Sequence, residues 1–209
     1  MPSGVTEPAA PPRSLRRRSW REVELVSLDF ETTGLDYGKD AIVSFGVVPV
    51  HEGRVRVGEA VHQLVVPAVP SSAISMRIHR ILPQDLAGAP SIEEARDVLS
   101  RALHGRFVLA WFADVEIAFL SRVFEMRERT WAARTIDVRE MALVLERDRD
   151  PDVRFSLSAV AGRYGVPVVS PHEALDDALV TAQLFLMLAT KLEAAGSGSV
   201  RSLLRMTRS

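Results

Sequence analysis

The feature that most limits the fold is a series of three β-prone runs near the start of the chain, joined by turns too short for a helical crossover. Val23, Leu25, Val26 and Leu28 form an apolar run that ends at Asp29, as a buried strand does. Thr32–Asp40 is turn-rich, with Gly34 and Gly38 as breakers. Ala41–Val50 is apolar and β-branched, and Glu52-Gly53 reads as a tight turn into a third strand over Arg54–Val66. Strands joined this way form an antiparallel meander. After a loop at Pro67, Pro70, Ser71 and Ser72 the pattern changes. Ser91–Leu103 reads as a helix with Ser91 as N-cap and Glu93 and Glu94 in its first turn. Phe107–Phe112 reads as a strand, Val115–Met126 as a helix, Arg134–Asp137 as a further strand and Arg139–Leu145 as a helix. Ser156 caps another helix that reaches Tyr164 and ends at Gly165, and Ala174–Ala194 is a long apolar helix. A meander followed by strand–helix alternation predicts an α/β fold, a mixed sheet covered by helices.

At 209 residues the chain suits one domain with a full core. The expected limits are a disordered leader over residues 1–20, a folded domain over 21–195 and a flexible basic tail over 196–209. The leader carries prolines and the basic run Arg16, Arg17 and Arg18 without the apolar stretch of a secretory signal. No apolar run is long enough to span a bilayer, so no membrane partner and a cytoplasmic location are expected. There are no cysteines, which excludes disulfides, thiolate metal sites and cysteine nucleophiles. Any metal must sit on oxygen or imidazole ligands, which favours magnesium or manganese. The formal charge of −1 supplies no general basic field for coating nucleic acid.

Acidic residues stand at the ends of these elements. Asp29 and Glu31 alternate with Phe30, so in an extended chain both carboxylates share a face while Phe30 turns into the core. Two like charges so placed are costly unless a cation neutralises them; alone, such a pair reads more readily as a solvated turn. The loop Thr32-Thr33-Gly34-Leu35 follows, with hydroxyls, a flexible glycine and an exposed apolar side chain. Asp114 and Glu116 open the helix after the fourth strand, where they also suit the helix dipole. His172 and Asp177 would lie about 140° apart on one continuous helix. They converge only if His172 precedes the helix, a placement that Pro171 favours.

Together these pieces resemble the DEDDh exonucleases, the group that includes the proofreading epsilon subunit of bacterial DNA polymerase III. Asp29-Phe30-Glu31-Thr32-Thr33-Gly34-Leu35 is similar to the first motif of that family without a gap, and Asp40-Ala41-Ile42-Val43 continues it. Ile78-His79, Leu86 to Pro90, Thr135-Ile136-Asp137, Ser156-Leu157 and Arg163-Tyr164-Gly165 follow in family order. His172-Glu173-Ala174-Leu175-Asp176-Asp177-Ala178 is similar to the third motif. The second motif departs from the pattern: Ala110-Trp111-Phe112-Ala113-Asp114-Val115-Glu116 has aromatics where the family has histidine and asparagine, and Glu116 where it has aspartate.

The resemblance implies an RNase H-like fold with a five-stranded mixed sheet flanked by helices. It implies a 3′→5′ exonuclease that releases nucleoside monophosphates from a nucleic acid with a free 3′ end, single-stranded DNA above all. Two divalent ions, Mg2+ or Mn2+, are implied as cofactors, with Asp29 bridging both, Glu31 and Asp177 completing one site and Glu116 supporting the other. His172 is the implied general base. Phe30, Thr32, Thr33, Gly34 and Leu35 are the implied substrate-binding set, and a DNA polymerase is a candidate partner. Three alternatives stand beside this reading. They are a binding module of the same fold without catalysis, a polymerase accessory docking through Val200, Leu203, Leu204 and Met206, and an RNA-directed exonuclease.

Overall fold

The computed structural model describes residues 7–146 and 155–206. The meander forms as the sequence predicts. β1 (Leu25–Thr32) pairs antiparallel with β2 (Ile42–His51), Asp29 lying opposite Gly46. The third run does not form one strand. It divides into β3 (Arg54–Val55) and β4 (Val61–Leu64), separated by a 3-10 turn at Val57–Glu59. Both pieces pair with the outer edge of β2, β3 at Val50 and His51 and β4 at Ser44 to Val47. The break faces Pro49, whose carbonyl accepts from Arg56 N–H at 2.9 Å but which has no N–H of its own to continue the ladder. β5 (Phe107–Ala110) and β6 (Thr135–Asp137) then add parallel to β1. The sheet thus has five positions, one shared by two short strands, and is the RNase H-like mixed sheet.

Helices cover both faces. On one, α2 (Ile92–Leu103), α3 (Ala113–Val123) and α4 (Glu128–Ala132) enclose Val26, Leu28 and Phe30 with Leu99, Phe119 and Trp131. On the other, α5 (Val138–Leu145), α6 (Leu157–Arg163), α7 (Ala174–Ala194) and α8 (Val200–Met206) pack on Leu25, Phe107 and Leu109 through Met141, Val160, Phe185 and Leu203. Strand alternation therefore aims Asp29 and Glu31 at the α7 face while Phe30 fills the opposite core. The first turn of α7 crosses β2 so closely that a Cβ on Gly46 would lie 2.1 Å from the carbonyl oxygen of Ala174. Glycine here lets the helix start directly against the strand pair that carries the acids. Ser91 and Glu94 form the capping box of α2. A helix that the sequence reading lacks, α1 (Ala73–His79), is capped by Ser72, whose N–H reaches the Thr33 carbonyl at 3.1 Å.

The chain ends differ from the expectation of a disordered leader and a flexible tail. Residues 7–20 and 196–206 belong to the fold, and the first six and last three residues lie outside the described ones. Trp20 is 1% exposed and sits edge-on to Phe185, with Arg21 over its other ring face. Trp20 N–H donates to Gly198 O and Val200 N–H to Arg18 O, so the two segments lie side by side. Val200, Leu203 and Leu204 of α8 are buried in the chain's own core rather than left to dock a partner. Upstream, the guanidinium of Arg134 donates to the carbonyls of Pro8 and Ala9. Each segment buries its apolar residues against the other, which local composition does not reveal. Among the described residues no helix is long and apolar enough to cross a membrane.

Candidate active site

The carboxyl ends of β1 and β5 open between the first turns of α3 and α7 onto a cleft of about 340 Å³. Asp29, Glu31, Glu116, His172 and Asp177 all line it. β1 supplies Asp29 and Glu31, α3 supplies Glu116 and α7 supplies Asp177. His172 stands in the loop before α7, as Pro171 predicts, with a left-handed backbone at φ 66°. That conformation is uncommon outside glycine. It is held by the Asp177 carboxylate, which accepts from His172 N–H at 3.1 Å. The neighbouring Asp176 carboxylate accepts from the N–H groups of Val169 and Ser170 and fixes the rest of the loop. One ligand atom each from Glu31, His172 and Asp177 lie within 4.8 Å of one another.

The electrostatics are those of a site short of positive charge. Burial first, then the charges of Glu116, Glu31 and Asp177, holds the Asp29 carboxyl well above the usual carboxylate range. Burial and then Asp177 push Glu31 up to about 8. Glu116 is likewise raised, by burial above all and by Asp137, Asp114 and Glu31 against the relief of a backbone hydrogen bond. Asp177 is raised by burial, moderated by its bond from His172. Glu116 is 4% exposed, and its Oε2 is buried without a hydrogen-bond partner. An acidic oxygen left bare among other acids is expensive unless a cation completes it. The donor set of four carboxylates and an imidazole fits hard divalent cations.

The family described as exonuclease matches residues 26–185 of the chain. The chain belongs to that exonuclease family. Exonucleases of this family generally use divalent metal ions. It is 31% identical over 179 residues to a PolC-type DNA polymerase III of Thermotoga petrophila, which covers 85% of this chain but 13% of that protein. The chain therefore spans about an eighth of the PolC-type relative. The DNA polymerase III epsilon subunit of Aquifex aeolicus is 26% identical over 183 residues, covering 87% of this chain and 88% of that one. Exonuclease X, solved in complex with 5′ overhanging duplex DNA, superposes with a TM-score of 0.65 at 25% identity, covering 88% of this chain and 99% of that one. Escherichia coli Exonuclease I with a dT13 oligonucleotide superposes at 0.70 and 16% identity, covering 83% of this chain and 42% of that one, and shares the fold.

In this exonuclease the residues of the first motif separate into two roles. Leu35 is 74% exposed and lines the cleft with Thr32 and Gly34. Phe30 borders the cleft while its ring stays in the core, edge-on to Phe119. Thr33 does not reach the cleft. It is 1% exposed, and its hydroxyl donates to Asp40 at 2.8 Å and accepts from Ala41 N–H at 3.0 Å. Its work is to close the loop that presents Leu35. Asp114 points outward and is exposed, whereas Glu116, two residues on, is buried.

Two features escaped the sequence reading. Asp137 caps α5 by accepting from Glu140 N–H and also accepts from Ala113 N–H, which anchors the start of α3 beside Glu116. Its burial raises it to about 6. The signal was present in Asp137-Val138-Arg139-Glu140, an N-cap pattern at the end of a strand. The other feature is a ladder of flat groups that backs Trp111 and Phe112 of the cleft lining. Trp111 stacks on Phe155 with centroids 6.3 Å apart, and the Arg139 guanidinium lies 4.9 Å from the Phe112 centroid and 5.7 Å from that of Phe155. Trp111 is 6% exposed and Phe112 49% exposed, so the two replaced family positions face opposite ways.

Proposed function

We propose that this exonuclease removes nucleoside monophosphates from the 3′ end of single-stranded DNA with two divalent ions, magnesium or manganese, held by Asp29, Glu31, Glu116 and Asp177. The observation that carries the reading is the convergence of these four carboxylates on one cleft, with Glu116 Oε2 buried and unpartnered. Bound ions would supply the positive charge that activates water and offsets charge developing on the phosphoryl oxygens. Asp29, which lines the cleft and feels the charges of Glu116, Glu31 and Asp177 at once, is the residue suited to serve both ions. His172, exposed at the rim and close to Glu31 and Asp177, is positioned to take the proton of the attacking water. Leu35 and Phe112 offer exposed apolar faces to the terminal bases. DNA as substrate and a DNA polymerase as partner rest on what the relatives are named for and bound to.

The test is a 5′-labelled single strand of DNA incubated with magnesium, with manganese and with EDTA, beside an RNA strand of the same sequence. A ladder shortening from the 3′ end and absent in EDTA is expected. No cleavage of either strand with either ion would leave a binding module as the better account, and cleavage of RNA alone would move the substrate class.

The open face of Phe112 gives a second expectation. Stacking of a base on an aromatic side chain contributes about 1–3 kcal/mol. Phe112→Ala should therefore raise KM for single-stranded DNA about tenfold, with kcat nearly retained, and Phe112→Tyr should restore it. Steady-state kinetics of both variants checks this. An unchanged KM would assign the ladder to packing of the wall alone.

A further inference from the structure

Towards the end of the strands opposite the acids, Arg13, Arg16 and Arg17 of the N-terminal 3-10 turn meet Arg201 and Arg205 of α8 around an open groove of about 610 Å³. Arg13, Arg17, Arg201 and Arg205 are exposed, and none of them pairs with a carboxylate among the described residues. The chain as a whole has 26 basic and 27 acidic residues, so this concentration is local and not the by-product of a basic protein. Gathering four such guanidinium groups around one groove opposes folding, yet the groove is assembled from segments nearly the whole chain apart. The bonds of Trp20 N–H to Gly198 O and Val200 N–H to Arg18 O fix its two walls. Arg16 is further anchored by donating to Ala133 O at 2.7 Å, just before β6.

We propose that this groove is a second nucleic-acid site, which holds the phosphodiester backbone of the substrate strand away from the 3′ end being cut. The inference rests on the exonuclease reading given above for the choice of polyanion. Guanidinium forks match phosphate oxygens and remain charged at any working pH. The lining argues against a protein partner, since protein interfaces centre on buried aromatic or aliphatic anchors. Here Leu204 is the sole apolar member of the lining, and it is itself buried in the core. The placement suits a trailing strand. β5 and β6 run with their carboxyl ends towards the acids, and Ala133 stands at the opposite end of β6. The length of β6 alone, on the order of 10 Å at the rise of a strand, lies between the Arg16 anchor and the carboxyl ends of the strands. A dinucleotide cannot occupy both sites, whereas a longer strand can.

The experiment compares the wild-type chain with a variant carrying Arg13→Gln, Arg17→Gln, Arg201→Gln and Arg205→Gln. Arg16 is retained because it holds Ala133. Anisotropy of a labelled single strand in EDTA gives the affinity across a salt series with no cutting. Each lost phosphate contact should flatten the slope of log affinity against log salt by about 0.7, so the variant should lose about 2–3 units of slope and at least about tenfold in affinity at low salt. Hydrolysis of a dinucleotide should keep its wild-type rate. Single Arg13→Gln and Arg205→Gln variants, each expected to flatten the slope by about 0.7, carry the test if the fourfold variant loses its thermal transition. An unchanged slope in folded variants overturns the proposal, and so does an unchanged slope joined to lost binding of polyglutamate, which would mark an acidic protein partner instead. A wild-type chain that cuts nothing while its variants still lose slope would remove the exonuclease reading and leave the groove standing.

Discussion

Asp29→Asn should abolish DNA hydrolysis while making the metal-free protein more stable. The loss follows from position: Asp29 lies in the charge field of Glu31, Glu116 and Asp177 at once, so an uncharged amide there removes the group suited to serve both ions. A metal site contributes several kcal/mol of charge stabilisation in such reactions, so the fall in kcat should be on the order of 10³-fold or more. The gain follows from the same carboxylates. In the metal-free fold Asp29, Glu31 and Glu116 all have pKa values raised above those of an unfolded chain. Such groups are no burden while protonated in both states. As pH rises past their unfolded values near 4, the unfolded chain releases protons that the folded chain retains, and stability is lost until the folded values are passed. Glu31 titrates at about 8 and Asp137 at about 6, so the window runs from about pH 4 to about pH 8.

Thermal melts in EDTA should therefore show the wild-type Tm falling across that window, and Asp29→Asn should fall less. For a chain of this size each kcal/mol moves Tm by about 2–4 °C, so a difference of several degrees is expected at pH 8. Magnesium or manganese at pH 8 should restore the wild-type Tm, because an ion that binds only the folded state stabilises it. The variant should respond weakly. A wild-type Tm that rises with pH in EDTA, or that ignores both ions, would sink the view that these acids are spaced for cations.

How much of this was readable beforehand depended on whether the cause was local. The first strand, whose apolar run ends at Asp29 although its pairing continues to Thr32, and the helix from Ser91 are written in their own residues, an apolar run in one case and a capping box in the other. His172 was placed before α7 by a single proline, and its backbone is non-helical there. Gathering the five cleft residues required family order, since no local pattern says that α3 and α7 begin at the same cleft. The errors came from partners distant in sequence. The leader reads as disorder by its prolines and arginines, but Trp20 has Phe185 and Gly198 to meet. Thr33 reads as a ligand for substrate by its hydroxyl, but Asp40 claims it. The third strand reads as continuous, but the edge it joins contains Pro49. Glu116 is the departure from the family pattern, and it is buried at the start of a helix that Asp137 anchors at Ala113 N–H, a support that no local pattern around Glu116 reveals.

His172→Ala should lower kcat by about 10²–10⁴-fold, the range for loss of a positioned general base, with little change in KM. Its exposed ring lies beside Glu31 and Asp177, so two roles compete for it: acceptor of a water proton or direct ligand of an ion. The backbone favours the first. Asp177 already spends a carboxylate oxygen on His172 N–H, and the left-handed turn at His172 holds the ring at the solvent rim, while Asp29 and Glu116 lie deeper. Acids alone can then hold the ions, leaving the imidazole free to accept a proton from water. The melts described above separate the roles. If His172 is the base, His172→Ala should lose hydrolysis yet keep the full rise of Tm on adding magnesium or manganese at pH 8, the reverse of Asp29→Asn, which should lose both. A variant that loses the metal-dependent rise together with activity would make His172 a ligand and leave the proton to be taken by a carboxylate of the cleft, of which Glu31, with its pKa near 8, would be the residue to replace next.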